Sequence, residues 1–476
     1  MALVGRIEEQ RVLRDRFDHD GADFVVVCGR RRVGKTFLVR EFFNGRFCFT
    51  ATGVAKQPKG RQLREFNRSL SIHGGIAYAQ APDWFESFQQ LRQLIEHDPT
   101  SGKKVVFLDE LPWMDTPKSG FLPALESFWN GWASGRRDVL LIVAGSSASW
   151  IARKLFRNTG GLYNRVTRRL WLQPFTLAEC EAFFEDRRVG FDRQQQVESY
   201  MIFGGIPHYL DQLDRGLSLA QNVDRLCFGP NPPLGREFDE LYASLFAEPA
   251  RHVAVVKALA GKASGLGRDE ISRAAHIAAG GTLSAILEQL ELSGFVRSHP
   301  AFGKRERDLA YRLADPFSLF ALRFGGNRLA NDEHFWTNGL LSGGRNAWKG
   351  HAFEEVCLGH IPQIKRALGI AGVLSSASAW RSRFADPGAQ IDLVIDRADR
   401  VINLCEIKYS DHEYAITADY DRRLRAKRAA FSEETRTTKS LAWTFITTYG
   451  LARNAHRGSV SSEVTMNDLF EHDPRP

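Results

Sequence analysis

The 476-residue sequence predicts an α/β protein of several domains, and three observations carry that reading. Short apolar runs at 24–28, 105–108 and 139–144 read as parallel strands buried on both faces. The first passes straight into Gly29-Arg30-Arg31-Arg32-Val33-Gly34-Lys35-Thr36 and a helical pattern, which is the strand, loop and helix setting of a phosphate-binding loop. The second ends in Asp109-Glu110, two carboxylates at a strand's carboxyl end, where the ligand crevice of an open parallel sheet lies.

In the loop, Gly29 and Gly34 let the backbone turn its N–H groups toward an anion, and the helix starting near Lys35 aims its positive end at the same point. The cradle for ATP or GTP runs from Gly29 through Arg30, Arg31, Arg32, Val33 and Gly34 to Phe37. Within it, Lys35 reaches the β- and γ-phosphates while the Thr36 hydroxyl takes a place on Mg²⁺. Asp109 is placed to hold Mg²⁺ through water, and Glu110, pointing elsewhere, to orient or deprotonate the attacking water. The third run leads into Gly145-Ser146-Ser147, whose serines are expected to sense the γ-phosphate or the attacking water. Before the strand-like 170–172, Arg165, Arg168 and Arg169 form a basic cluster; one of them, with Arg165 the choice, is expected to stabilise transition-state charge, in cis or from another subunit.

Composition sets bounds on this reading. A hydrophobic content of 43% with 25% charged residues is that of a globular chain, and no segment approaches membrane-spanning length. Six scattered cysteines without metal-type spacing, and no apolar leader, point to a reducing cytoplasm rather than secretion. A net charge of +8 suits an acidic polymer as partner, though charge alone does not distinguish nucleic acid from a generally basic surface.

Residues 251–322 alternate helical patterns with a hairpin tipped by Lys304, Arg305 and Arg307, which resembles a winged helix. Its third helix carries Thr282, Ser284, Glu288 and Gln289, so packing and DNA contact remain equal alternatives for it. A glycine-rich stretch around 327–349 reads as a linker. Beyond it come a helix over 352–358, an extended 376–380, a period-two strand over 390–396, a turn at 397–400 and a strand over 401–408. Asp392 lies on one arm of this hairpin; Glu406 and Lys408, two apart, share a face of the other. Two carboxylates and an amine at a sheet edge can bind Mg²⁺, position water and offset charge on a scissile phosphate.

Taken in order, the opening Leu3 to Glu8, the phosphate loop, Phe107 to Glu110, Ala144 to Ser147 and Gly204 to Leu210 resemble the archaeal-type AAA ATPases, close to the signal-transduction ATPases with numerous domains. That resemblance implies ATP rather than GTP, an adenine bordered by Val4, Gly5 and Arg6, and a helical lid over the nucleotide. The Asp392…Glu406-x-Lys408 hairpin, preceded by Glu354 on a helix, resembles the PD-(D/E)XK nucleases, with Glu354, Asp392 and Glu406 as metal ligands and Asp392, Glu406 and Lys408 as the catalytic set. Such a restriction-endonuclease-like module is what the ATPase family often carries at its carboxyl end. The expected organisation is an ATPase core at 1–175, a helical lid at 176–245, a winged helix at 246–325, a linker at 326–346 and a nuclease-like domain at 347–476. The implied function is an ATP-hydrolysing switch over a DNA nuclease, in an oligomer or alone. An inactive nuclease-like module that binds DNA or protein is the alternative.

Overall fold

The computed structural model describes residues 3–157, 160–303, 309–326, 332–339, 343–382, 384 and 388–472. They fall into two units, Met1–Gln173 and Pro174–Pro476. In the first, β1 (Asp23–Cys28), β2 (Phe49–Thr52), β3 (Lys104–Asp109), β4 (Val139–Gly145) and β5 (Arg168–Trp171) form a parallel sheet in the order β2-β3-β4-β1-β5. Every residue of β1, β3 and β4 is buried, as strands covered on both faces must be. Phe24, Val26, Leu108 and Leu141 pack against Phe66, Trp84, Leu125 and Trp129 from the helices Lys59–Gly74, Trp84–His97 and Phe121–Gly131. Burial of each such side chain stabilises by roughly 1.5–3 kcal/mol. Because β4 stands between β1 and β3, the phosphate loop, the Asp109-Glu110 pair and Ser146 open at one edge of the sheet.

The second unit begins with helices alone, Leu177–Arg187, Arg193–Phe203, Pro207–Leu210, Leu219–Val223 and Glu237–Leu245 among them. Three of these start in capping boxes, Thr176 with Glu179, Asp192 with Gln195 and Ser218 with Gln221, which satisfy amide groups that would otherwise lack partners. Helix Pro249–Ala260, β6 (Leu266–Gly267), helices Arg268–Ala275 and Gly281–Leu292, β7 (Val296–Pro300) and β8 (Leu309–Leu313) follow, with the strands antiparallel in the order β6-β8-β7. The hairpin-tip cations Lys304, Arg305 and Arg307 lie outside the described residues.

The expected linker is corrected where it is described. Within 332–339, Asp224 accepts hydrogen bonds from the backbone N–H of Trp336 at 2.7 Å and of Thr337 at 3.0 Å. The Trp336 ring, 4% exposed, packs edge-to-face with Phe320, Phe324 and Trp348. The next helix, Gly343–Gly359, already starts inside the stretch read as linker.

A second five-stranded sheet closes the chain: β9 (Ser375–Arg381), β10 (Gln390–Arg397), β11 (Val401–Lys408), β12 (Ser440–Thr447) and β13 (Ser462–Thr465), in the order β13-β12-β11-β10-β9. The first three strands form an antiparallel meander, and β11, β12 and β13 run parallel, helix Ala418–Thr435 making the crossover from β11 to β12. A bulge between Ile391 and Val394, the stretch that holds Asp392, breaks the expected alternation of β10. The end of β7 is stitched to β9 by the Ala301–Ala379 pairing, and Phe302 packs its ring on Phe431. Because Trp336 ties its segment into an aromatic core, Trp336→Ala is expected to lower unfolding stability by about 3–5 kcal/mol in a urea titration, where a true linker residue would show no loss.

Candidate functional site

At the sheet edge of the first unit the chain has built a cradle around one ammonium. The Lys35 side chain, 5% exposed, donates to the carbonyl oxygens of Gly29 at 3.0 Å and Arg30 at 2.9 Å. Burial lowers its pKa to about 8, against the opposing pull of Glu110 and then Asp109. The glycines serve different ends. Gly29, at φ +148°, lies so close to Leu172 that a Cβ would run into the Leu172 carbonyl, whereas Gly34, at φ +90°, has open space and needs only its backbone conformation. Arg32 takes a left-handed conformation at φ 74° without being glycine. Of the other loop residues, Arg30 and Val33 are buried, Arg31 is exposed, and Phe37 is half-exposed on the first turn of helix Lys35–Phe43. Arg6 donates to the Val33 carbonyl at 3.2 Å, which sets the opening segment Val4-Gly5-Arg6 beside the loop.

Thr36 Oγ1 donates to Asp109 Oδ2 at 2.8 Å, so the hydroxyl and the carboxylate expected to share Mg²⁺ are already in contact. Burial raises the Asp109 pKa, and the Thr36 hydrogen bond opposes it. Glu110, left-handed at φ 46°, turns away from Asp109 toward Ser146, whose hydroxyl donates to it at 2.6 Å and whose N–H donates at 3.3 Å. The donor set of Thr36, Asp109 and a buried lysine fits a hydrated divalent cation beside a polyphosphate.

Arg165 needs correction. It stands before β5, which runs parallel to β1 and pairs Arg168 with Val25, so Arg165 lies off the amino edge of the sheet. The loop follows the carboxyl end of β1, about 20 Å away along a six-residue strand. Arg165 therefore does not reach the phosphate loop of its own chain.

In the second unit Asp392, Glu406 and Lys408 come together. Lys408 Nζ is 3.2 Å from Glu406 Oε2 and 3.6 Å from Asp392 Oδ2, so one positive charge already bridges both carboxylates. Asp392 Oδ2 also accepts from the Ile407 N–H at 2.9 Å. Glu406 is fully buried, and burial works to raise its pKa; Lys408 and Lys427 outweigh that and hold it low. Asp392 is raised, by burial and by Glu406. For Lys408, burial alone would lower the pKa, but Asp392 and Glu406 reverse the shift and raise it.

Glu354 does not complete a three-carboxylate set, and among the described residues no group of three or more His, Cys, Asp or Glu side chains is arranged to hold a metal ion. It lies near enough to Asp392 for the two charges to repel, but its Oε1 is held by Arg312 Nη2 at 2.8 Å. Two converging carboxylates with a lysine between them still fit a cation by donor type.

No family model matches the chain. An uncharacterized protein of Methanocaldococcus jannaschii is 24% identical over 413 residues, spanning 86% of this chain and 88% of its own length. Among solved structures, the Walker-type ATPase paby2304 of Pyrococcus abyssi aligns over 67% of this chain and 96% of its own, with a TM-score of 0.48 and 19% identity. The Aeropyrum pernix ORC2 protein, solved in ADPNP and ADP complexes, aligns over 69% and 95%, with a TM-score of 0.40 and 15% identity. The Thermotoga maritima RuvB Holliday junction branch migration motor aligns over 64% and 92%, with a TM-score of 0.35 and 14% identity.

Sequence reasoning missed the partners that organise the second site. Tyr420 OH and Lys427 Nζ, seven apart on helix Ala418–Thr435, each reach Glu406 at 2.6 Å. Arg312 also binds Glu355 at 2.6 Å, a pair 43 residues apart that no local signal announces. Since Lys427 offsets a buried charge, Lys427→Met is expected to cost about 3–5 kcal/mol in denaturant titration, with part of it recovered by adding Glu406→Gln. Glu406 is held below its unfolded value, so its contribution is present above the ordinary carboxylate range and is lost as the pH falls through that lower value; acid titration of the parent should show this loss and Glu406→Gln should not.

Proposed function

We propose that the chain is an ATP-binding and ATP-hydrolysing switch whose nucleotide state governs a metal-dependent DNA nuclease on the same polypeptide. The observation that carries the first half is the 2.8 Å contact between Thr36 and Asp109, which joins the loop to the strand-end carboxylate expected to share Mg²⁺. Lys35 moves from two neutral carbonyls onto the β- and γ-phosphates, and its charge then meets an anion instead of a dipole. Glu110 accepts the proton of the attacking water or orients it, with Ser146 fixing the carboxylate's direction. Mg²⁺, when bound, neutralises charge that develops between the β- and γ-phosphates. Arg165, at the opposite sheet edge, would serve a phosphate only from a second copy.

The helical stretch 176–245 we read as the lid, and the helix, strand, helix, helix and hairpin of 249–313 as a winged helix. The antiparallel meander continued by two parallel strands, with a helix before it and a helical crossover within it, supports a restriction-endonuclease-like module. Asp392 and Glu406 would hold the cation there, and Lys408 would offset charge on the scissile phosphate. One observation favours a second reading, an inactive module that binds DNA or protein. Glu406 is already engaged by Lys408, Lys427 and Tyr420.

Plasmid cutting in Mg²⁺ or Mn²⁺, with and without ATP, separates the readings. Lys35→Ala is expected to reduce ATP turnover a hundredfold or more, on the order of an electrostatic donor's loss, and to deregulate cutting. Asp392→Ala is expected to abolish cutting and spare ATP turnover; if it cuts like the parent, the nuclease reading fails and the inactive module stands. ATP affinity tests the Lys35 charge separately. Only the protonated amine pairs with phosphate, so affinity should hold below pH 8 and weaken by up to about tenfold per unit above it; a flat profile between pH 7.5 and 9.5 contradicts that role.

A further inference from the structure

We propose that the cavity between the β6–β8 sheet and the β9–β10 edge is the groove by which a single-stranded polynucleotide reaches Asp392, an inference that rests on the nuclease reading and names its substrate. The cavity has a volume of about 910 Å³, and both Asp392 and Glu354 line it. One wall carries Lys262, Arg268, Arg273 and Tyr311, and the other Arg381. These walls are fixed to each other, because Ala301 pairs with Ala379 and the Phe302 N–H donates to the Ala379 carbonyl at 3.0 Å.

Charge selects the kind of ligand. Lys262 is spent on Glu270 at 2.7 Å, and Arg312 on Glu354. Arg268 and Arg273 donate to the neutral carbonyls of Gly280 and Asp269, and Arg273 also faces Glu270; among the described lining residues the five cations, Arg381 with them, outnumber the four carboxylates of Asp269, Glu270, Glu354 and Asp392. Such a cationic track leading to a carboxylate suits a polyanion whose phosphate is brought to that carboxylate. Half-buried Tyr311 adds a ring on which a base can stack.

Size favours a single strand. A cleft of this volume takes a ligand of a few nucleotides, whereas a duplex, broader than its own major groove of ~12 Å, brings far more bulk than the cavity holds. The helix expected to read DNA offers a poor alternative. Helix Gly281–Leu292 exposes Thr282, Ala285 and Glu288, and commits Gln289 to His252 at 2.8 Å.

The test uses the full chain, with fluorescent oligo-dT, oligo-U and a hairpin duplex of equal length, binding read in EDTA and cutting in Mg²⁺. R268A/R273A/R381A is expected to weaken binding of one or both single strands at least tenfold. It should also reduce the salt slope by about 2, from three lost phosphate contacts at about 0.7 each, and leave ATP turnover at the parent level. R268K/R273K/R381K is expected to restore most of the binding, since a phosphate track needs point charges, and this guards against a folding defect in the alanine variant. Equal binding by the parent and the alanine variant, or tighter binding of the duplex than of either strand, overturns the groove. Parent-like cutting by Asp392→Ala removes the nuclease reading instead, and because binding is scored without metal the two failures are told apart.

Discussion

A charge taken out of water costs several kcal/mol unless partners surround it, and this chain buries Lys35, Asp109, Glu355 and Glu406. How each one is compensated decides what its surroundings can do. Lys35 is met by two carbonyl dipoles, which satisfy two of its three donors and leave most of its charge unspent. The ammonium is thus held ready for an anion. Glu355 is answered by Arg312 at 2.6 Å and Arg297 at 3.7 Å, an enclosed set with a structural task. Around Glu406 the compensation is heavier, two lysines and a phenol, and it anchors helix Ala418–Thr435 against β11.

Strand order does for Glu110 what burial does for Lys35. Inserting β4 between β1 and β3 brings the end of β4 beside the carboxylates that end β3, and Ser146 meets Glu110 there with two hydrogen bonds. Left-handed backbone at Glu110 is strained for a residue with a Cβ, and it is tied on both sides, its N–H donating to Asp109 Oδ1 at 2.9 Å and its carbonyl accepting from the Trp113 N–H at 3.0 Å.

Contiguity separates what was legible in the sequence from what was not. The phosphate loop could be read because strand, turn and helix follow within twenty residues, and each obeys a local rule about glycine, burial or helix ends. The Glu406-x-Lys408 spacing was readable for the same reason, since side chains two apart on a strand share a face. Of the two roles expected of Arg165, the one within its own chain fails because sequence does not give strand direction, and a parallel β5 carries its amino end away from the loop. The linker was misjudged by counting glycines, when Phe335, Trp336 and Trp348 in the same stretch had apolar area to bury. Tyr420 and Lys427 had the right helical spacing, but only the crossover's placement over the sheet shows that the shared face turns inward to Glu406. Nor does any periodicity foretell a bulge such as the one at Ile391 to Val394.

The crowding at Glu406 bears on whether the second site can take a cation at all. A carboxylate has about four acceptor positions, and Glu406 uses one on Lys427 through Oε1 and two on Tyr420 and Lys408 through Oε2. Asp392 uses Oδ2 for both Ile407 and Lys408, and Oδ1 takes part in neither contact. An acceptor position on Glu406 Oε1 and the whole of Asp392 Oδ1 thus remain outside the lysine bridge. A cation entering there would replace only the long 3.6 Å contact of Lys408 with Asp392, the weakest in the cluster, and could leave Lys427 and Tyr420 where they are. Saturation of Glu406 is therefore a weaker argument for an inert module than the number of its partners suggests.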